Sequence, residues 1–247
     1  MLFPSTTTLA TLAPMSVRAE QPHQGVLSIV GTPIGNLEDV TARALRTLRE
    51  ADTVAAEDTR HTGRLLSHFA IHKPLLSYHE FNEAKRTNEL LDQLRQGKRV
   101  ALVSDAGMPT VSDPGYRLIR AATEAGIAVE VIPGPSAVTA ALAISGLPTN
   151  QFLFLGFLPH KSTQRRRLLS SFVLSPYALV AFESPYRLLK ALTDIQETLG
   201  NRRTVIAREL TKKFEEILRG DVATLLKSLE NRAIKGEITL IVEGHHP

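Results

Sequence analysis

The stretch RVALVSDAGMPTVSDPGYRLIRAATEAGIAVEVIPGPSAVTAALAISG, residues 99–146, decides the fold. RVALVS (99–104) is an apolar run of strand length, and YRLIRAATEAG (116–126) sets its apolar residues at helical spacing. The alternation then repeats, with IAVEVIP (127–133) as a strand and SAVTAALAISG (136–146) as a nearly all-apolar helix that reads as deeply buried. Strands without polar alternation, each followed by a helix, belong to a parallel sheet covered on both faces.

Upstream the same grammar holds. VLSIVGT (26–32) reads as a strand, VTARALRTLREA (40–51) as an amphipathic helix capped by Asp39, and DTVAAE (52–57) as a second strand. LLSY follows Pro74, and EAKRTNELLDQLRQG is a helix closed by Gly97. Downstream, GLPTNQF (146–152) is a turn-rich linker. FLFLGF (152–157), a basic helix around 161–174, YALVAFES (177–184), the helix YRLLKALTDIQETLG, TVIAREL (204–210), FEEILRG, a helix over 221–232 and GEITLIVEG (236–244) follow. Several of these strands lack an intervening helix, which predicts a mixed sheet. The expected architecture is an N-terminal α/β domain over 25–147 and a C-terminal α+β domain over 152–247, with a cleft between them.

Of the 247 residues 43% are hydrophobic and 22% charged, a globular balance. The absence of cysteine excludes disulfides, thiolate nucleophiles and cysteine-ligated zinc, and is compatible with a reducing cytoplasm. The eight histidines show no ligand-pair spacing, and His245 and His246 read as tail residues, so no metal is expected. No apolar run approaches the roughly 20 residues that span a bilayer, so no membrane association is expected. Residues 1–24, rich in Thr, Ser and Pro, read as a disordered leader or as sequence upstream of a start at Met15. Residues 1–154 hold 14 Lys and Arg against 15 Asp and Glu, whereas residues 155–247 hold 15 against 10. That asymmetry points to a polyanion at the C-terminal part, with a solvated lysine-rich face as the alternative.

Three Gly/Pro-rich loops follow predicted strands, where open α/β sheets place ligands. GTPIGNL (31–37) lacks the GxGxxG spacing and carries Pro33, which argues against a dinucleotide fold. SDAGMPTVSDPG (104–115) is irregular and almost free of aliphatic residues, as functional loops on rigid scaffolds are. In IPGPSAV (132–138), the backbone N–H groups near Ser136 and Ala137 suit a carboxylate at a helix N-terminus.

Together VGTPIGNLEDVTARAL, AEDTRHTGRLL, SDAGMPTVSDPGYRL, VIPGPSAVTAAL, FLGFLP, FESPYR and RELTKKFEE resemble the bacterial ribosomal RNA small subunit methyltransferase I family. That family sits in the tetrapyrrole methylase-like (class III) superfamily of S-adenosylmethionine enzymes, and the resemblance runs from about residue 26 to 244. It implies a two-domain homodimer with S-adenosyl-L-methionine in the interdomain cleft. Asp105, Ala106, Gly107 and Met108 would touch the amino acid and ribose parts, and Ser136 and Ala137 the methionine end or the adenosine. Phe182 and Glu183 would line the pocket; Arg208 to Leu210, and Glu243 or Gly244, would close the adenine side. The implied substrate is the ribose 2′-hydroxyl of a decoding-region cytidine in 16S rRNA within the small ribosomal subunit. The alternatives are a small-molecule methyltransferase of the same fold, from whose Gly-Pro-Gly-Asp type first loop TPIGN departs, and a non-catalytic ribosome assembly factor.

Methyl transfer to a hydroxyl needs alignment, exclusion of water and a group that stabilises the developing alkoxide. Asp58, Glu80, Glu183 and Lys212 are the candidates, with a surface ion pair to Arg60, helix capping and phosphate binding as the plainer roles of Asp58, Glu183 and Lys212. Arg60, His79, Glu80 and Asn82 are candidates for ordering or gripping the substrate. For RNA phosphates, Lys161, Arg165, Arg166 and Arg167 form the densest cluster, followed by Arg187, Lys190, Arg202, Arg203, Lys212 and Lys213. With aromatic residues at 5%, an extended base-stacking platform is not expected.

Overall fold

The computed structural model describes residues 25–245, so the expected leader and His246 lie outside the described residues. Strands β1 (Val26–Val30), β2 (Thr53–Ala56), β3 (Leu75–Ser77), β4 (Arg99–Val103) and β5 (Ala128–Ile132) form a wholly parallel sheet in the order β3-β2-β4-β1-β5. Helices α1 (Ala42–Glu50) and α2 (Thr59–His68) cover one face, α3 (Glu83–Arg95) and α4 (Tyr116–Glu124) the other. The two-residue period of the strands sorts their side chains accordingly. Val30, Val54, Ala101 and Val103 pack with Leu48 and Leu66, whereas Leu27, Ile29, Val100 and Leu102 pack with Leu90, Leu94 and Leu118.

A second sheet combines β6 (Phe152–Phe157), β7 (Ala178–Glu183), β8 (Arg203–Arg208), β9 (Glu216–Asp221) and β10 (Ile238–Val242) in the order β6-β7-β10-β8-β9. β6 and β7 are parallel and the other pairs antiparallel, the mixed sheet that the missing helices predict. Helices α6 (Ser162–Ser170), α7 (Leu188–Leu199) and α8 (Val222–Leu229) pack on one face, through Leu169, Leu192, Ile195 and Leu225. The other face receives α5 (Ala137–Ser145), whose Val138, Ala141 and Leu142 join Val180, Val205 and Ile241. Arg219 on β9 reinforces this junction by donating to the backbone carbonyls of Ser145, at 3.1 Å, and Ile144, at the C-terminal end of α5.

Four expectations are corrected. Helix α2 goes unread in the sequence because Gly63 interrupts it and only Leu65 and Leu66 are aliphatic, yet the parallel β2–β3 pair requires a crossover there. Thr41, not Asp39, caps α1, accepting from the Ala44 amide at 3.0 Å. Strand β5 is not covered on both faces, for it lies at the sheet edge and leaves Val131 54% exposed. Helix α5 is buried on one side only, with Ala143 and Ile144 facing outward. Among the described residues no helix is long and apolar enough to cross a membrane.

Candidate active site

Because every strand of the first sheet points the same way, its loops emerge at one edge. The first loop props the others. Thr32 after β1 exchanges backbone hydrogen bonds with Gly107 at 2.9 and 3.1 Å, and Gly107 sits at φ +78°. Gly31 lies against Gly134 so closely that a Cβ on Gly31 would stand 2.7 Å from the Gly134 Cα. The Asp105 carboxylate accepts from the Asp58 amide at 3.0 Å, tying the loops after β2 and β4 together.

These loops and the second sheet enclose a cavity of about 490 Å³. Asp105, Ala106, Gly107, Met108, Ser136, Ala137, Phe182, Glu183 and Leu210 all line it, whereas Arg208, Glu209, Glu243 and Gly244 of the expected cofactor set do not. Ser136 makes no side-chain cap to α5, and Ala137 and Val138 at that helix start line the cavity. Thr110, Ser112, Glu209 and Thr211 hold positive φ although none is glycine, and they belong to the two loops facing each other across the cleft. Backbone strain of this kind persists where the surrounding structure enforces it, typically at functional sites.

A second cavity, about 660 Å³, adjoins the first and shares Glu57, Ser112 and Asp113 with it. His79, Glu80, Phe81, Glu83, Pro114, Gly115 and Tyr116 complete its lining, which brings the HEFNE segment beside the cleft. Asn82 is not in that lining and works structurally, accepting from the His79 amide and donating to the Ser77 carbonyl. Burial raises the Asp113 carboxyl to about 7, with like charge from Glu57 and Asp105 adding to it against a hydrogen bond with Ser104. Burial also raises Glu57, helped by the charges of Asp105 and Glu80.

Several sequence candidates take other roles. Asp58 caps α2, accepting from the Arg60 amide at 2.8 Å and pairing with its guanidinium at 2.7 Å, which holds its carboxyl well below the usual range. It lines neither cavity, so as proton acceptor it is corrected, and Arg60 projects into solvent. Lys212 is fixed between Glu209 and Glu237; burial opposes its charge, but these carboxylates outweigh it and hold the ammonium above its usual range, unfit as a base. Arg208 turns away to Glu216 and the carbonyls of Phe214 and Lys235. Glu243 and Gly244 follow the far end of β10, which runs antiparallel to β7 and β8; the strand's beginning, Ile238 and Thr239, reaches the cleft. Glu183 stays in the cleft. Its Oε1 accepts from the Ser184 amide and pairs with Arg187, Oε2 is buried without a partner, and burial raises the carboxyl against those contacts.

The basic cluster divides. Arg165 is buried, 2.5 Å from an equally buried Asp194, and is no phosphate grip. Arg166 is half exposed but paired with Asp194 and Glu197. Arg187 bonds Glu183 and the Leu158 carbonyl, and Arg202 bonds the carbonyls of Leu199, Glu243 and Val173. Lys161, Arg167, Lys190, Arg203 and Lys213 remain exposed. Sequence reasoning missed Glu57, Asp113 and the Gly236–Thr239 segment as cleft residues. The SDPG string carried a signal for Asp113 and the AEDTR string one for Glu57; nothing local marked Gly236–Thr239.

Residues 26–226 match the family model described as Tetrapyrrole (Corrin/Porphyrin) Methylases. A Thermotoga maritima protein named ribosomal RNA small subunit methyltransferase I is 53% identical over 220 residues, 89% of this chain and 99% of that one. The chain belongs to the ribosomal RNA small subunit methyltransferase I family of tetrapyrrole methylases. An Escherichia coli O157:H7 protein of the same name is 51% identical, covering 90% of this chain and 79% of its own. Among solved structures, uroporphyrin-III-C-methyltransferase from Thermus thermophilus matches with a TM-score of 0.60 at 24% identity, over 88% of this chain and 94% of that one. A cobalt precorrin-4 methyltransferase matches at 0.66 with 20% identity, over 90% and 95%. These two likenesses show the fold, and the family membership makes the protein a methyltransferase.

Proposed function

We propose that the protein methylates the ribose 2′-hydroxyl of a decoding-region cytidine in 16S rRNA of the small ribosomal subunit, with S-adenosyl-L-methionine as the methyl donor. The observation that carries this reading is the 53% identity, over 89% of the chain, to a relative named for small-subunit ribosomal RNA. The tetrapyrrole-methylating alternative rests on the description of the family model and on structures at 24% identity or less, likenesses of fold that do not decide substrate.

The 490 Å³ cavity has the size and mixed lining of a small-molecule site. The uncapped start of α5, at Ser136 and Ala137, suits the donor's carboxylate, and the partnerless Glu183 oxygen suits a donor N–H. Asp105 through Met108, Phe182 and Leu210 supply the remaining walls. The donor is a co-substrate that supplies an electrophilic methyl group on sulfonium. The protein's part is to align the acceptor and exclude water. The second cavity, opening through Glu57, Ser112 and Asp113, is assigned to the acceptor nucleotide, with His79 and Glu80 in its wall. Lys161, Arg167, Lys190, Arg203 and Lys213 are assigned to phosphates. Residues 25–147 and 152–247 are assigned as the two domains, joined through α5. A homodimer is supported by the exposed Val129 and Val131 on the edge strand β5, and the absence of cysteine suits a cytoplasmic protein.

The test is transfer of tritiated methyl from S-adenosylmethionine to small subunits from a strain lacking the gene. The reading predicts label in 2′-O-methylcytidine of 16S rRNA. Cofactor binding without label in subunits or free transcript would overturn it.

A further inference from the structure

Asp113 and Glu57 are the side-chain carboxylates that face both the donor cleft and the adjoining chamber. Asp113 lies in the loop between β4 and α4, held by the strained backbone at Thr110 and Ser112, and Glu57 directly follows β2. A group at this junction is where an acceptor hydroxyl in one chamber meets a methyl in the other. Asp58 and Lys212 are committed to ion pairs, and Glu183, whose Oε1 pairs with Arg187, lines the donor cleft but not the adjoining chamber.

Resting on the reading above, we infer that Asp113 accepts the proton of the acceptor hydroxyl and that Glu57 tunes it. The acceptor O–H bond breaks and its proton passes to an Asp113 carboxylate oxygen. The acceptor oxygen forms its bond to the methyl carbon, and the carbon–sulfur bond breaks with the electron pair remaining on sulfur. Charge balances: the sulfonium becomes a neutral thioether and the carboxylate a neutral acid. The groups facing Asp113 from neighbouring loops are Glu57 and Asp105; Glu57 is in turn faced by Asp105, Glu80 and His79. Glu83 and Tyr116 stand in the same chamber wall. Burial and the surrounding negative charge keep Asp113 basic enough to take a proton near neutral pH.

The experiment is single-turnover methyl transfer to small subunits between pH 5.5 and 9, with cofactor affinity and thermal unfolding of the cofactor-free protein measured alongside. The wild-type rate should rise through an acid limb near pH 7. Asp113→Asn should cost about 100-fold or more in rate, with cofactor affinity falling far less. In the cofactor-free protein, the carboxyl's raised folded-state value means that its stability contribution is lost as pH rises through about 7. Asp113→Asn should therefore raise the Tm at pH 8 and leave it unchanged near pH 4. Glu57→Gln, which removes a like charge, should move the acid limb to lower pH. A rate for Asp113→Asn within a few-fold of wild type, or a limb unmoved by Glu57→Gln, would overturn the inference. If wild type labels RNA with a flat profile through pH 7, this inference alone fails; if it labels no RNA, the proposed function fails first.

Discussion

The two sheets serve one cleft in opposite manners. In the parallel sheet every strand ends at the same edge, so the loops after β1, β2, β4 and β5 all converge there. In the mixed sheet the ends of β7 and β8 and the beginning of β10 reach the cleft, because β10 runs against its neighbours. A residue's position after a strand therefore implies proximity to ligand in the first sheet but not in the second. The charged residues differ likewise. Carboxylates of the first region line cavities, whereas the arginines of the second are largely consumed in holding it together.

That contrast can be broken at its strongest point by Asp194→Ala, which leaves the Arg165 guanidinium buried without its partner. Chemical denaturation should show a loss of about 3–5 kcal/mol. Unchanged stability would mean that Arg165 is free to leave the core for phosphate. In the first region, Gly134→Ala drives a Cβ to 2.8 Å from the Gly31 backbone. It should cost about 1–3 kcal/mol and weaken cofactor binding by calorimetry, because the contact sets the spacing of two cleft loops. The exposed pair Lys161→Ala with Arg167→Ala should reduce subunit affinity and lower the slope of log K against log salt by about 1 per lost phosphate contact. Cofactor affinity should not change. The smallest effects separate near from far. Glu243→Gln, beyond the distant end of β10, should leave cofactor affinity within twofold of wild type. Asp58→Ala should lower the Tm through its lost cap while methyl transfer persists; loss of transfer with unchanged Tm would restore Asp58 as a chemical group.

Much of the first region was readable because its signals are local. RVALVS and IAVEVIP are strands by composition, and the Gly/Pro/Asp loop between β4 and α4 marks a site by its cost to order. The cofactor residues from Asp105 to Met108, with Ser136 and Ala137, were legible through the family resemblance, and the cleft collects them. Helix α2 was not legible, since its sequence has weak periodicity and its existence follows from strand direction. The RRR string was legible as basic but not as divided, because burial of Arg165 depends on Asp194, 29 residues away on another helix.

The sequence by itself determined the alternation of strands and helices, the family and the loops rich in glycine and proline, because each depends on residues near one another in the chain. Only the tertiary structure decided which charges remain available. Asp58, Lys212, Arg165 and Arg187 are bound to partners, while Asp113 and Glu57 are left at the junction of two cavities. Whether a charged group performs chemistry or holds the fold depends on what burial and neighbouring charges do to it, and those neighbours come from elements distant in sequence.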